Sequence, residues 1–151
     1  MTRWLMVSAA AVALSSGAAQ ADYTLHILHI NDFHSRVEPI DKYDSTCDAE
    51  ADEKGECFGG VARLATKINE LRNQLKAEGQ NVLVLDAGDQ YQGSLFYTTY
   101  KGKDTAAFMN AIGYQAMAVG NHEFDNGPAQ LAAFTGSIGF PMVSGNLDLS
   151  R

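Results

Sequence analysis

Basic side chains are scarce in this sequence. Its 151 residues include 11 lysines and arginines against 18 aspartates and glutamates, which gives a formal net charge of −7. Nucleic-acid backbones and anionic membranes attract basic surfaces through their phosphate charges. We therefore expect no binding to a nucleic-acid polymer, whereas a small phosphorylated molecule held through a metal ion remains compatible with the acidic composition.

The sequence also has no apolar run long enough to span a membrane. The apolar stretch Trp4–Leu14 is shorter than the roughly 20 residues that a spanning helix needs, which disfavours a membrane anchor. It follows the basic Arg3 and precedes small residues at 19–21, the pattern of a secretory signal peptide. We predict that residues 1–21 are removed. Asp22, rather than a cysteine, then begins the product, so no lipid anchor is indicated.

Removal of that segment leaves 10 basic residues against 18 acidic ones, because Arg3 is its only charged side chain, and the net charge becomes about −8. The predicted product is exported, either to a periplasm or outside the cell, and is not attached to a membrane. Nothing in the sequence indicates its oligomeric state.

Cysteine is rare, with Cys47 and Cys57 as the only two. Both lie in the acidic, irregular segment Ser35–Phe58. In an exported protein such a pair is expected to form a disulfide, and free thiols or a zinc site are the alternatives. Two cysteines alone do not complete a zinc site. We predict a Cys47–Cys57 disulfide that restrains a long loop and has no catalytic role.

Apolar runs of strand length alternate with segments of helical periodicity, which predicts an α/β fold in which helices cover a sheet. The predicted strands are 23–30, 81–86, 114–120 and 140–149, with 23–30 buried and 81–86 central. The predicted helical segments are 59–80, 94–104, 105–113 and 127–139.

Polar residues follow each of the first three predicted strands. Asp32 and His34 come after the first, Asp89 after the second, and Asn121 with His122 after the third. In α/β proteins the carboxyl ends of strands carry the chemistry. Asp32 and His34 are two residues apart, so on an extended chain their side chains would point to the same side. Asp89 has two carboxylate oxygens, so that it can bridge two ions.

Each of these groups alone is also compatible with an ordinary turn, but their joint occurrence at three strand ends favours a metal site. Histidine, carboxylate and amide ligands suit two divalent ions, with zinc or manganese favoured over calcium or magnesium. We expect His122 to donate to a phosphate oxygen or leaving group, with Asp125 beside it if a helical turn follows. His26 and His29, inside the first strand, are predicted to be structural.

The motifs at these strand ends resemble the amino-terminal part of the 5′-nucleotidase family within the calcineurin-like metallophosphoesterases. The resemblance covers nearly all of the chain after residue 21 and is strongest to secreted bacterial 5′-nucleotidase and UDP-sugar hydrolase precursors. It implies the amino-terminal part of a four-layered α/β/β/α sandwich, a two-metal centre and hydrolysis of nucleoside 5′-monophosphates. The motifs are ILHINDFHSR, GGVARLATKI, VLDAGDQYQGS and AIGYQAMAVGNHEFDNG.

The resemblance also implies a role for each matching residue. Glu123 belongs to the motif with a supporting role only. The others are Asp32 and His34 as ligands of the first metal, Asp89 as the bridging carboxylate, Asn121 as a ligand of the second metal, and His122 with Asp125 as the dyad that stabilises the transition state.

The family pattern extends beyond this sequence. Family members have further histidine ligands, including a Gly-His-x-His element, and a carboxyl-terminal nucleotide-binding domain, whereas no histidine follows His122 here. We therefore expect residues 22–151 to be an incomplete catalytic domain that hydrolyses nucleotides poorly alone. The alternatives are a cyclic nucleotide phosphodiesterase, a UDP-sugar hydrolase, a sulfur-oxidation hydrolase of the same superfamily, and a non-enzymatic metal-binding fragment.

Overall fold

The computed structural model describes residues 22–148 and contains a four-stranded parallel sheet. The strands pair in chain order, so that the second strand is internal, as predicted. This arrangement confirms the α/β class. The signal-peptide prediction, residues 1–21, lies outside the described residues. The strands are β1 (Leu25–Ile30), β2 (Asn81–Asp86), β3 (Ala116–Ala118) and β4 (Met142–Val143).

Within residues 22–148, five α-helices connect these strands. One element was not predicted: α1 begins after Asp48, whose side chain accepts a hydrogen bond from Ala51 N at 2.9 Å. The predicted boundary after Asp104 was wrong, because Lys101 and Gly102 adopt left-handed φ angles of 53° and 84° and separate two helices there. The helices are α1 (Ala49–Glu53), α2 (Val61–Ala77), α3 (Leu95–Tyr100), α4 (Lys103–Ile112) and α5 (Gly127–Thr135).

The core lies between one face of the sheet and helices α2, α4 and α5. Val84 of β2 and Met117 of β3 are fully buried there against Ile68, Met109 and Phe134. Side chains alternate between faces along a strand, so the helices cover only every second residue.

The opposite face of the sheet is open among the described residues. Leu25 and Ile27 of β1 are 40% and 51% exposed, and their neighbours along the strand are half-buried. The prediction that β1 is buried was therefore wrong for this part of the chain, because β1 lies at a sheet edge with helices on one side only. None of the helices within residues 22–148 combines the length and apolar character needed to cross a bilayer.

The long segment between β1 and α2 is closed at its base. Cys47 and Cys57 form a disulfide with a Cα–Cα distance of 5.7 Å, which confirms the predicted pairing. Ile40 and Phe58 exchange backbone hydrogen bonds of 2.8 and 3.0 Å across the same base. The loop is thus held beside the turn that follows β1.

Candidate metal centre

The turn after β1 brings two of the predicted ligands together, although not in the predicted way. Asp32 and His34 have φ angles of 52° and 49°, so the backbone is left-handed there rather than extended. Their N–H groups donate to the carbonyls of Gly88 and Asp89 at 3.0 and 3.1 Å. This pairing continues the β1–β2 contact beyond the sheet and places Asp32 Oδ1 3.6 Å from His34 Nε2.

The turn after β2 depends on glycine. Gly88 has a φ of 99°, and a Cβ atom at this position would lie 2.6 Å from Gly120 N. A side chain would therefore separate the turn after β2 from the turn after β3. Their close approach places Asp89 Oδ1 3.0 Å from the backbone nitrogen of His122, which donates to it.

Three groups from the three turns converge at this point. His34, Asp89 and His122 each offer one ligand atom, and these atoms lie within 4.8 Å of one another. The His34 and His122 rings meet edge to face with their centroids 5.1 Å apart. His26 and His29 lie outside this cluster. Residues more than 30 positions apart in the chain therefore meet at the predicted edge of the sheet.

The orientation of the His34 ring suits a ligand. Its Nδ1 lies 3.0 Å from the carbonyl oxygen of Tyr91, an acceptor only, so Nδ1 carries the proton and donates. The lone pair is then on Nε2, on the side of Asp32. A histidine held through its second nitrogen in this way is the usual arrangement of a metal ligand.

The amide of Asn121 lies 3.3 Å from Asp89 Oδ2. If the amide nitrogen faces the carboxylate, it donates a hydrogen bond. In that orientation the amide oxygen accepts from the backbone nitrogen of His122 at 3.3 Å, whereas with the amide oxygen toward Asp89 two acceptors face each other, an arrangement that a bound cation would stabilise. Together with the imidazole and carboxylate groups nearby, these oxygens form a donor set that fits divalent metal ions.

His122 begins a single 3-10 turn, His122–Phe124, that follows β3, and Asp125 is the capping residue directly after that turn. His122 Nδ1 is 2.7 Å from Asp125 Oδ2. This hydrogen bond raises the pKa of His122 and lowers the pKa of Asp125 relative to their ordinary values. The imidazolium form is therefore favoured, with Nε2 available to a substrate oxygen.

Sequence reasoning missed Gln92 at this site. Its side chain lies near enough to Asp125 to help lower the pKa of that carboxyl group. The available signal was its place in AGDQYQG, three residues after Asp89, where it adopts a φ of 67°. The ionisation of the His122–Asp125 dyad thus depends in part on the turn that carries Asp89.

Comparison with known proteins identifies the family. The sequence pattern of the calcineurin-like phosphoesterases matches residues 25–148. The chain belongs to this family. Members of the family are hydrolases that use divalent metals, in agreement with the donor set between the three turns.

Individual relatives of this calcineurin-like phosphoesterase are 5′-nucleotidases. A 5′-nucleotidase of Bos taurus is 49% identical over 130 residues, which are 85% of this chain and 21% of that protein. The snake venom 5′-nucleotidase of Gloydius brevicauda is 44% identical over 144 residues, 95% of this chain and 23% of the relative.

A solved structure shows the same fold. The 5′-nucleotidase precursor from Thermus thermophilus has a TM-score of 0.68 and 40% sequence identity, over 84% of this chain and 23% of that one. The chain thus spans about a fifth to a quarter of the length of the relatives that it matches. The match covers the amino-terminal part of a metallophosphoesterase fold.

Proposed function

We propose that this chain is the amino-terminal part of the catalytic domain of an exported 5′-nucleotidase, which hydrolyses nucleoside 5′-monophosphates to nucleoside and phosphate. The observation that carries the proposal is the convergence of His34, Asp89 and His122 within 4.8 Å, with Asp125 behind His122. The similarity to 5′-nucleotidases, one of them a snake venom protein, supports the substrate class and export.

In this proposal Asp32 and His34 would hold one divalent ion, Asp89 would be shared between it and a second ion, and Asn121 would contribute to the second, with zinc or manganese as the metal. When bound, such a pair supplies an activated water and neutralises the charge on the phosphoryl oxygens. The turns of β1, β2 and β3 each provide part of the donor set. A partly exposed site of this kind admits a small substrate from solvent.

His122 acts on the substrate directly in the proposed reaction, and Asp125 acts through His122. Asp125 fixes the proton on Nδ1 of His122 and stabilises the imidazolium form. His122 can then hydrogen-bond a phosphate oxygen through Nε2 and deliver a proton to the departing nucleoside oxygen. Gln92, on the neighbouring turn, helps to lower the pKa of Asp125 and so favours its ionised form.

A histidine substitution tests this assignment. His122→Ala in the full-length protein, of which this chain is proposed to be a part, should lower kcat on AMP by about 100-fold or more, the range for loss of general acid catalysis, while most bound metal is retained. His29→Ala is the matched control, because His29 is an exposed histidine of β1 outside the cluster. Assays with AMP, a cyclic nucleotide and UDP-glucose, with metal content measured in parallel, distinguish the substrate classes. Loss of metal in step with activity would make His122 a ligand instead.

We further propose that residues 22–151 alone hydrolyse nucleotides poorly. The second ion would receive only the bridging oxygen of Asp89 and the amide oxygen of Asn121 from this span, fewer donors than a tetrahedral site needs. The span loaded with manganese or zinc should therefore release little phosphate from AMP. Turnover of about 1 to 1000 per second, as in ordinary enzymes, would contradict this proposal.

A further inference from the structure

Glu123 lies beneath the candidate metal centre with its side chain fully buried. Four backbone N–H groups donate to its carboxylate. Oε1 accepts from Gln90 and Tyr91 at 2.8 and 3.3 Å, and Oε2 accepts from Asp89 and Gly120 at 3.0 and 2.7 Å. These donors come from two turns that are about 30 residues apart in the chain.

The four contacts use the full hydrogen-bonding capacity of the group. An ionised carboxylate has about four acceptor sites, and here each oxygen has two donors. Among residues 22–148, the ion pairs between side chains do not include Glu123. The contacts are therefore all to the backbone, and they constrain where the two turns lie rather than the position of another side chain.

A reciprocal contact joins the same two turns. Glu123 accepts from the backbone N–H of Asp89, and Asp89 Oδ1 accepts from the backbone N–H of His122 at 3.0 Å. Each turn therefore provides a carboxylate that holds the backbone of the other. Because Gly88 and Gly120 have no side chains, the two turns can approach closely enough to form this interlock.

We propose that Glu123 is a positioning residue that sets the separation of Asp89 from Asn121 and His122 before a metal binds. The ligand roles of Asp89 and Asn121 rest on the function proposed above, but the interlock itself does not. A pre-set separation means that binding requires no rearrangement of these turns. Removal of the interlock should therefore weaken metal affinity as well as slow hydrolysis.

The first test is made by amide hydrogen exchange on the metal-free form of the full-length protein that contains this chain. In the wild type, the amides of Gly120 and of residues 89–91 should be protected. Glu123→Gln keeps the side-chain volume but replaces one oxygen by an NH₂ group, which faces backbone donors. We expect these amides to lose protection selectively in this variant. Unchanged exchange at all four positions would overturn the proposal.

The second test measures Mn²⁺ affinity and steady-state kinetics. Glu123→Gln should weaken Mn²⁺ binding by about 10- to 100-fold, the usual effect of removing a group that orients metal ligands, and excess Mn²⁺ should restore part of the kcat. Glu123→Asp keeps both oxygens and should lose less affinity. If Glu123→Gln does not fold, the exchange pattern of the wild type and the Mn²⁺ affinity of Glu123→Asp still test the proposal.

Met109→Ala is the control for a general loss of stability, because Met109 is buried in α4 away from the turns. The proposal requires Met109→Ala to retain Mn²⁺ affinity and amide protection at residues 89–91. An equal loss of affinity in Met109→Ala would leave Glu123 with an ordinary structural role and overturn the proposal. Failure of wild-type protein to bind Mn²⁺ would instead contradict the proposed function, and the exchange pattern would still test the interlock.

Discussion

Asp86, the last residue of β2, places a carboxyl group in the protein interior with only 4% exposure. It accepts hydrogen bonds from Gly88 N at 2.9 Å and Gln90 Nε2 at 2.7 Å. Burial raises the pKa of Asp86 to about 7, and the negative charges of Glu123 and Asp32 add to this shift. The hydrogen bonds lower the pKa, but burial has the larger effect.

This pKa shift predicts that the protein becomes less stable as the pH rises. The folded state holds the Asp86 proton up to about pH 7, whereas the unfolded chain releases it near pH 3.8. The contribution of Asp86 to stability is thus complete below pH 3.8 and is lost as the pH passes 7. In the wild type, ionisation of Asp86 should lower the unfolding free energy by about 2–3 kcal/mol between pH 5 and pH 8. We expect Asp86→Asn to lack this decrease.

Urea unfolding of the wild type and of Asp86→Asn at both pH values measures this difference. Other carboxylates titrate in both proteins, so their contributions to the unfolding free energy cancel in the difference. Burial, and to a lesser extent the charge of Asp86, raises the pKa of Tyr114. This tyrosine therefore does not titrate in the pH range of the comparison. An identical pH dependence in the two proteins would show that Asp86 is ionised in the folded state throughout.

At the scale of elements, the loop between β1 and α2 depends on local cross-links rather than on the core. The disulfide joins residues separated by 10 positions, and an ion pair of 2.5 Å links Arg36 to Asp44. Cys47 and Cys57 lie outside the buried apolar cluster. Order in this loop is therefore largely separable from the stability of the sheet and helices.

Removal of the disulfide should disorder this loop selectively. Cys47→Ser with Cys57→Ser should cost about 2–3 kcal/mol of loop stability, since a short closed loop restricts the unfolded chain by roughly this amount. Limited proteolysis should then cleave within residues 40–58, while the exchange of β2 amides is unchanged. Lys54→Ala, which removes only the exposed Lys54–Glu50 ion pair, is the control. Equal loss of protection in β2 would show that the loop supports the whole fold.

A predicted strand agrees better with the structure when the residues within and directly beside it determine where it begins and ends. β2 begins and ends at the predicted residues, because a run of valine and leucine is bounded by polar residues and followed by Gly88. β3 and β4 are much shorter than predicted, with 3 and 2 paired residues. Within residues 22–148 the regular pairing stops after these few residues, although Gln115 and Val119 still donate backbone hydrogen bonds to Val84 and Val143 at 2.8 and 3.1 Å.

For the whole molecule, the open face of the sheet is the feature with the largest expected effect. Leu25, Ile27 and Val143 are 40%, 51% and 52% exposed on a chain of net charge −7. An exposed apolar face of this kind favours association despite the net charge. In a preparation of residues 22–151 alone, we expect concentration-dependent self-association.

A threonine substitution on that face should reduce self-association without loss of stability. Ile27→Thr keeps the strand-forming β-branched side chain, and Ile27 is already half exposed. Val84→Thr, at a position 1% exposed on the covered face, is the matched control and should lower the unfolding free energy by about 1–3 kcal/mol. Sedimentation measures the association. If Ile27→Thr associates like the wild type, another surface is responsible.

The donor types and their order along the chain were predictable because parallel strands end at one edge of the sheet. Asp32, His34, Asp89 and the Asn121–Asp125 segment could thus be placed near one another without coordinates. The left-handed turns at Asp32 and His34, and the link from Gln92 to Asp125, could not. Neither could the interlock of Glu123 with a turn 32 to 34 residues away. These features depend on how separate turns pack against one another, and sequence periodicity carries no information about such contacts.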